Sequence, residues 1–212
     1  MVILGLTGSI GMGKTTAARM LSGFGVAVCD SDALVHDMLA RGGVAVDSVG
    51  AAFPGVVRDS AVDHAALAAK VFGDPATLAR LEAIIHPLVR LAQGRFLRVQ
   101  AARRQPLVAL DVPLLFESGT HELCDVVVVL TAPAFLQEAR VLHRPGMSRE
   151  RFEGILARQM PDLEKRRRAD FVVQSGAGQR HSLQRLGEMV RLLRQRRGGK
   201  WPPRALPGKA HA

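Results

Sequence analysis

Asparagine is missing from all 212 residues, and so is tyrosine. Without asparagine, the Asn-Lys-x-Asp signature by which GTPase switches read guanine cannot exist in this chain. Aromatic residues make up 4% of the sequence, too few to supply the stacking platforms of single-strand nucleic-acid binders. No apolar run approaches the ~20 residues that span a bilayer. The opening residues carry neither a basic lead-in nor a cleavage site, so a cytoplasmic location is expected. Two cysteines, Cys29 and Cys124, fall at expected strand ends without ligand-like spacing and read as reduced structural thiols. His36, His64, His121 and His143 do not form a zinc pattern either.

Charge is plentiful but unevenly spread. The net charge is +10, and from Gly178 onward nine Lys/Arg stand against one Glu, so that segment carries +8 and everything before it +2. The excess belongs to the end of the chain. Residues 198–212, rich in Pro, Gly and basic side chains, read as a flexible basic tail. A nucleic-acid-dependent ATPase working through this tail is a rival from a different functional class. The lack of helicase-like motifs argues against it, so no nucleic-acid partner is expected.

What the chain does have stands near its beginning. GSIGMGKTT, Gly8 to Thr16, fills every position of G-x-x-x-x-G-K-[ST] with Gly8, Gly13, Lys14 and Thr15. The apolar run Val2–Leu6 before it reads as a buried strand, and Thr16–Leu21 after it reads as a helix. Glycines 8, 11 and 13 permit backbone angles that side chains would block. The amides between them can turn inward as an anion nest, backed by the positive end of the new helix. Lys14 can reach the outer phosphates and the Thr15 hydroxyl can ligate Mg²⁺. A nucleoside triphosphate site follows; the motif alone does not separate kinase, hydrolase and switch.

Four further strands are expected at Val26–Val28, Pro106–Asp111, Asp125–Leu130 and Phe171–Val173. They are continuous apolar runs rather than alternating ones, the pattern of an α/β protein whose parallel sheet is covered on both faces. Between the second and third, helices are expected at Ala33–Leu39, from Asp63 to position 72, and at Pro75–Ile85 and Pro87–Ala102, with a junction at His86. Asp63 and Asp74 read as N-caps. The stretch is too long for a connection and reads as an inserted helical subdomain. A second, Arg-rich insertion runs from Pro133 to about Arg168.

Several residues could carry chemistry. Asp30 and Asp32 follow the second strand; either could serve an attacking hydroxyl or orient Mg²⁺, and either could simply cap the following helix. Asp111 closes an apolar strand, the Walker-B pattern for Mg²⁺. Arg140 and Arg144 are four apart and, on a helix, would share a face suited to phosphates. Arg149, Arg151 and Arg158 are softer candidates, and Lys165–Arg168 reads as a solvated helix end.

Together these segments resemble the dephospho-coenzyme A kinase family, over roughly Val2 to Gly178. The resemblance is carried by GLTGSIGMGKTT, CDSD, LEAIIHPLVR (Leu81–Arg90), LDVPLLFE (Leu110–Glu117), Arg140 with Arg144, ARQM (Ala157–Met160) and ADFVV (Ala169–Val173). It implies a three-layer αβα P-loop fold with a five-stranded parallel sheet. Residues 1–32, 103–132 and 169–197 would form the core, 33–102 a helical acceptor subdomain and 133–168 a helical lid. It implies a monomer using ATP and Mg²⁺ to phosphorylate the ribose 3′-hydroxyl of dephospho-coenzyme A, with another small-molecule kinase of the same fold as the alternative. Residue by residue, Gly8, Gly11, Met12, Gly13, Lys14, Thr15, Thr16 and Arg144 would bind ATP. Asp32 would serve as base or orienter, and Arg140 would clamp the transferring phosphate. His86 and Leu114, Leu115, Phe116 and Glu117 would face the acceptor, and Thr15 and Asp111 the metal. Many members carry Asn near the adenine after the last strand; here the segment is QSGAG, which leaves Ser175 or backbone groups for that contact.

Overall fold

In the computed structural model, which describes residues 1–71 and 73–202, the chain divides into two units: Met1–Cys29 with the residues from Gln100 on, and Asp30–Val99. The last ten residues of the expected tail, and position 72, lie outside the described residues.

The first unit is built on a five-stranded sheet. In chain order its parts are β1 (Val2–Thr7), α1 (Lys14–Gly23) and β2 (Ala27–Asp30). The remaining strands of this sheet are interrupted by the second unit, whose elements are α2 (Ser31–Leu39), α3 (Val46–Ala52), β3 (Val57–Arg58), β4 (Ala61–Val62), α4 (His64–Val71) and α5 (Pro75–Ala102). The chain then resumes with β5 (Leu107–Asp111), β6 (Val126–Thr131), α6 (Ala134–Leu142), α7 (Arg149–Ala157), α8 (Asp162–Arg167), β7 (Phe171–Gln174) and α9 (Gln179–Arg194). The spatial order is β2-β5-β1-β6-β7. β1 pairs in parallel with β5 (Leu6 opposite Asp111) and with β6 (Thr7 opposite Val129), and β6 pairs in parallel with β7. The expected α/β sheet is therefore present, with each strand end within a residue or two of its expected place.

The unbroken apolar runs have the reason anticipated for them. Alternate residues Val2, Leu4, Leu6, Ala109, Val128 and Leu130 pack with Ala17 and Leu21 of α1 and Leu186, Met189, Val190 and Leu193 of α9. Their neighbours Ile3, Val108, Leu110 and Val129 are equally buried, on the opposite face. There Gly5 lies so close to the segment after β5 that a Cβ would stand 2.8 Å from both Cys124 Sγ and Leu115 Cδ2. Part of the basic end is thus a core helix. Gly199 and Lys200, expected within a flexible tail, instead donate their N–H groups to Asp125 Oδ1 at 2.6 and 2.9 Å.

The second unit closes its own core around Val46, Val49, Phe53, Val62, Leu67 and Ile85. Asp63 and Asp74 cap their helices as expected, each accepting two backbone N–H groups. Two expectations fail here. The helix does not break at His86: α5 runs for 28 residues with Pro87 inside it. A mid-helix proline costs about 3 kcal/mol, but Leu81, Ile84, Ile85, Leu88, Val89 and Ala92 all pack onto this core from the turns around it. The hairpin β3–β4 also went unread, because Asp59 and Ser60 take φ of 50° and 61°. A two-residue turn with both φ positive normally announces itself with Asn-Gly or a similar pair.

Both cysteines are buried and free of disulfide. Burial, with Asp125 beside it, pushes the Cys124 thiol up from its ordinary value of 9.0 to about 12. The folded state thus holds the neutral thiol while the unfolded chain ionises. Stability from this group is complete below pH 9 and declines as the pH rises from 9 towards 12. We expect urea melts of the wild type to lose stability across that window and Cys124→Ala to lose less; equal slopes would contradict it.

Candidate active site

The sheet order brings the site together. β1 is central, so the loop leaving it is flanked by the ends of β5 and β6. Gly11 and Gly13 take φ of 79° and 84°, the left-handed region where a side chain is costly. Gly8 is required for a different reason: a Cβ there would meet the Leu130 carbonyl oxygen at 2.7 Å. The helix α1 begins at Lys14 with Gly13 as N-cap, no side-chain cap and no acid in its first turn. By contrast α2, α4 and α7 start on capping side chains of Asp30, Asp63 and Ser148. Helices α3, α6, α8 and α9 also start without a side-chain cap; α1 is set apart by the glycine loop before it, whose left-handed Gly11 and Gly13 can turn the first amides toward an anion. Thr15 and Thr16 are exposed at this end and Met12 is buried beneath the loop.

Lys14 Nζ lies 2.7 Å from Asp111 Oδ1. Asp111, at the end of β5, is almost wholly buried, so its charge is expressed toward the loop. Arg140 extends from α6 across the loop. Its guanidinium donates to Ser175 Oγ at 3.0 Å and Ser175 O at 3.2 Å, with a longer contact of 3.4 Å to Gly11 O. Ser175 in turn sits 3.4 Å from where a Gly13 Cβ would be. Residues far apart in sequence, Gly11, Gly13, Lys14, Asp111, Arg140 and Ser175, thus converge on one loop.

Other candidates sit elsewhere. Helix α6 stops at Leu142, ahead of Pro145-Gly146, so Arg144 does not share a helical face with Arg140; it is exposed beyond the helix end. Arg149 pairs with Glu138 and Arg151 with the Gly146 carbonyl. Leu115 and Phe116 are core side chains, whereas Leu114 and Glu117 on either side of them are exposed. In the second unit, Asp30 Oδ1 accepts the Asp32 and Ala33 N–H groups, which gives Asp30 the cap and leaves Asp32 as an exposed acid in the first turn of α2. His86 is half-buried on α5.

Lys165 departs furthest from expectation. Read as part of a solvated KRRR run, it is completely buried. Its ammonium pairs with Glu117 Oε1 at 3.0 Å and donates to Pro113 O at 3.3 Å. Glu117 Oε1 also accepts the Met160 N–H at 2.7 Å. Thr131 at the end of β6 donates to Asp162 Oδ2 at 2.8 Å. Gln137 and Gln159, not singled out as site residues from the sequence, both bond the loop backbone at Ile10. Gln159 had a signal, its place in ARQM; Gln137 had none beyond lying one turn before Arg140.

A family model described as dephospho-CoA kinase matches residues 2–180. The chain belongs to the dephospho-CoA kinase family. Its relatives include a dephospho-CoA kinase of Paramagnetospirillum magneticum, 63% identical over 78% of each chain. Another, of Rhodospirillum rubrum, is 53% identical over 91% of this chain and 92% of its own. Among solved structures, TT1252 from Thermus thermophilus superimposes with a TM-score of 0.77 at 38% identity, covering 90% of this chain and 96% of that one. The dephospho-CoA kinase from Campylobacter jejuni, at 20% identity, shares the fold with a TM-score of 0.61 over 90% and 96% of the two chains. The family's PLLFE segment is thus anchored in this chain by an ion pair to a fully buried lysine.

Removing the carboxylate strands a buried ammonium. We expect Glu117→Ala, which leaves the buried Lys165 ammonium without its carboxylate, to cost about 3 kcal/mol or more in urea unfolding. Lys165→Met should cost clearly less, since it fills the same space and Glu117 keeps some solvent and the Met160 N–H. The reverse order would show that the pair is not what holds this segment.

Proposed function

We propose that the protein transfers the γ-phosphoryl group of ATP to the ribose 3′-hydroxyl of dephospho-CoA, giving CoA and ADP. The observation that carries this reading is the gathering of Lys14, Asp111, Arg140 and Ser175 around the glycine loop at the uncapped start of α1. Family membership supplies the acceptor.

Phosphoryl transfer passes through a loose transition state in which positioning and charge neutralisation dominate. The amides from Gly11 to Thr16 hold the phosphate chain. Lys14 neutralises the outer phosphates, exchanging part of its attachment to Asp111 for them. Arg140, already anchored over Gly11 and Ser175, stabilises charge on the transferring group, with Arg144 as a further phosphate contact and Ser175 near the nucleotide. From the second unit we assign Asp32 to align the acceptor hydroxyl and take its proton as the new P–O bond forms and the bond to ADP breaks. His86, Leu114 and Glu117 are assigned to the acceptor side, Leu115 and Phe116 to the packing that holds Leu114 and Glu117 in place. The oxygen donors of Thr15 and Asp111 suit Mg²⁺, which needs only one or two protein oxygens beside substrate phosphates; there it would supply charge neutralisation between the phosphates. Among the described residues no helix is long and apolar enough to cross a membrane. The reading includes a cytoplasmic monomer with no nucleic-acid partner, and residues 133–168 acting as a lid that excludes water.

Product analysis by mass spectrometry, with ATP and a panel of dephospho-CoA, nucleoside monophosphates and shikimate, tests the acceptor. Phosphate should appear on dephospho-CoA alone; turnover of another member instead would refute the assignment. Lys14→Ala and Arg140→Ala should each lower kcat/KM by about 10²-fold or more. Asp32→Asn should lower kcat by about 10²-fold while leaving ATP affinity largely intact. Near-normal turnover of that variant would remove Asp32 from the chemistry.

A further inference from the structure

One residue of the loop is held through both of its backbone polar groups. The Ile10 N–H donates to Gln159 Oε1 at 3.0 Å, and Gln137 Nε2 donates to the Ile10 carbonyl at 2.8 Å. Because a backbone N–H only donates and a carbonyl only accepts, the roles of the two amides are fixed: Gln159 must offer oxygen and Gln137 nitrogen. Gln137 is buried and Gln159 half-buried.

The clamp continues into the next residue. A Cβ on Gly11 would stand 2.6 Å from Val141 Cγ2 and 3.0 Å from Gln137 O, and Arg140 reaches the Gly11 carbonyl. Gln137, Arg140 and Val141 are spaced i, i+3 and i+4, so one face of α6 lies on the Ile10–Gly11 segment. On the other side Gln159 is steadied by its neighbour, since the Met160 N–H is held by Glu117, itself paired with buried Lys165. Immediately after this segment come the amides that must turn toward phosphate.

We infer that Gln137 and Gln159 are positioning residues of the kinase: together they fix the two peptide groups on either side of the Ile10 Cα, and with them the direction of the phosphate-binding amides that follow. Neither need touch a reactant. The inference rests on the phosphoryl-transfer reading of the loop, but its first readout is nucleotide binding alone.

The reciprocal roles give a test that a general packing effect does not mimic. Gln159→Glu keeps an oxygen acceptor for the Ile10 N–H, whereas Gln159→Met removes it. Gln137→Glu replaces the donor by a carboxylate facing a carbonyl, and Gln137→Met removes it at similar volume. ADP binding by calorimetry, kcat and KM for each substrate, and melting temperature are measured for all four. The expected result is ADP affinity and kcat/KM for ATP reduced about tenfold or more in Gln159→Met, Gln137→Met and Gln137→Glu. Gln159→Glu should stay within about threefold of wild type, since a carboxylate accepts this bond at least as well. KM for dephospho-CoA should hardly move. Unchanged ADP binding in a folded Gln159→Met or Gln137→Met would overturn the inference. So would Gln159→Glu failing as badly as Gln159→Met, or Gln137→Glu behaving as wild type. Should one methionine variant not fold, the glutamate pair still decides. Failure of the wild type to make CoA would refute the acceptor assignment and leave the ADP comparison standing.

Discussion

Backbone amides can face an anion at the end of β1 only because Gly11 and Gly13 lie in the left-handed region and Gly8 presses against the Leu130 carbonyl. Everything else at the site depends on that local geometry. The strand delivers the loop to the middle of the sheet, the flanking strands deliver Asp111 and Thr131 beside it, and α1 starts without a side-chain cap. Where α2 and α7 start on the side chains of Asp30 and Ser148, α1 starts on a glycine loop whose amides suit an anion.

A loop of permissive residues is not self-holding, and freedom at glycine carries an entropic cost. The surrounding structure counters this with polar contacts rather than bulk. Ile10 is bonded by two glutamines, Gly11 is overlain by α6, and Arg140 ties α6 to Ser175 after β7. Behind them Lys165 is taken fully out of water and compensated by Glu117 and a carbonyl. Such a pair adds little net stability, since desolvation offsets most of its attraction, but it tolerates few alternative arrangements. It fixes where ARQM stands with respect to PLLFE, and so where Gln159 can point.

The sequence made the sheet and the loop legible because both are written locally. Buried parallel strands appear as unbroken apolar runs, and the phosphate loop as spaced glycines before Lys14. Capping aspartates 63 and 74 were legible for the same reason. What escaped was decided by distant partners. Nothing in EKRRR distinguishes Lys165 from its solvated neighbours until Glu117, far away in the chain, is brought beside it. Pro87 reads as a break until the apolar turns on both sides are seen to be buried. The Asp59-Ser60 turn lacks the glycine that would have announced it. Arg140 and Arg144 have helical spacing, but the helix ends between them, so spacing alone misjudged what they share.

Asp125 joins the first strand and the segment after α9 on one carboxylate. Its Oδ2 accepts the Ile3 N–H at 2.8 Å while its Oδ1 accepts those of Gly199 and Lys200. The strand that feeds the catalytic loop is thereby stitched to the segment beyond α9. In a chain cut after Lys200, joining that residue covalently to Met1 would require only a short linker, so new termini could be opened in a surface turn without rerouting the central strand.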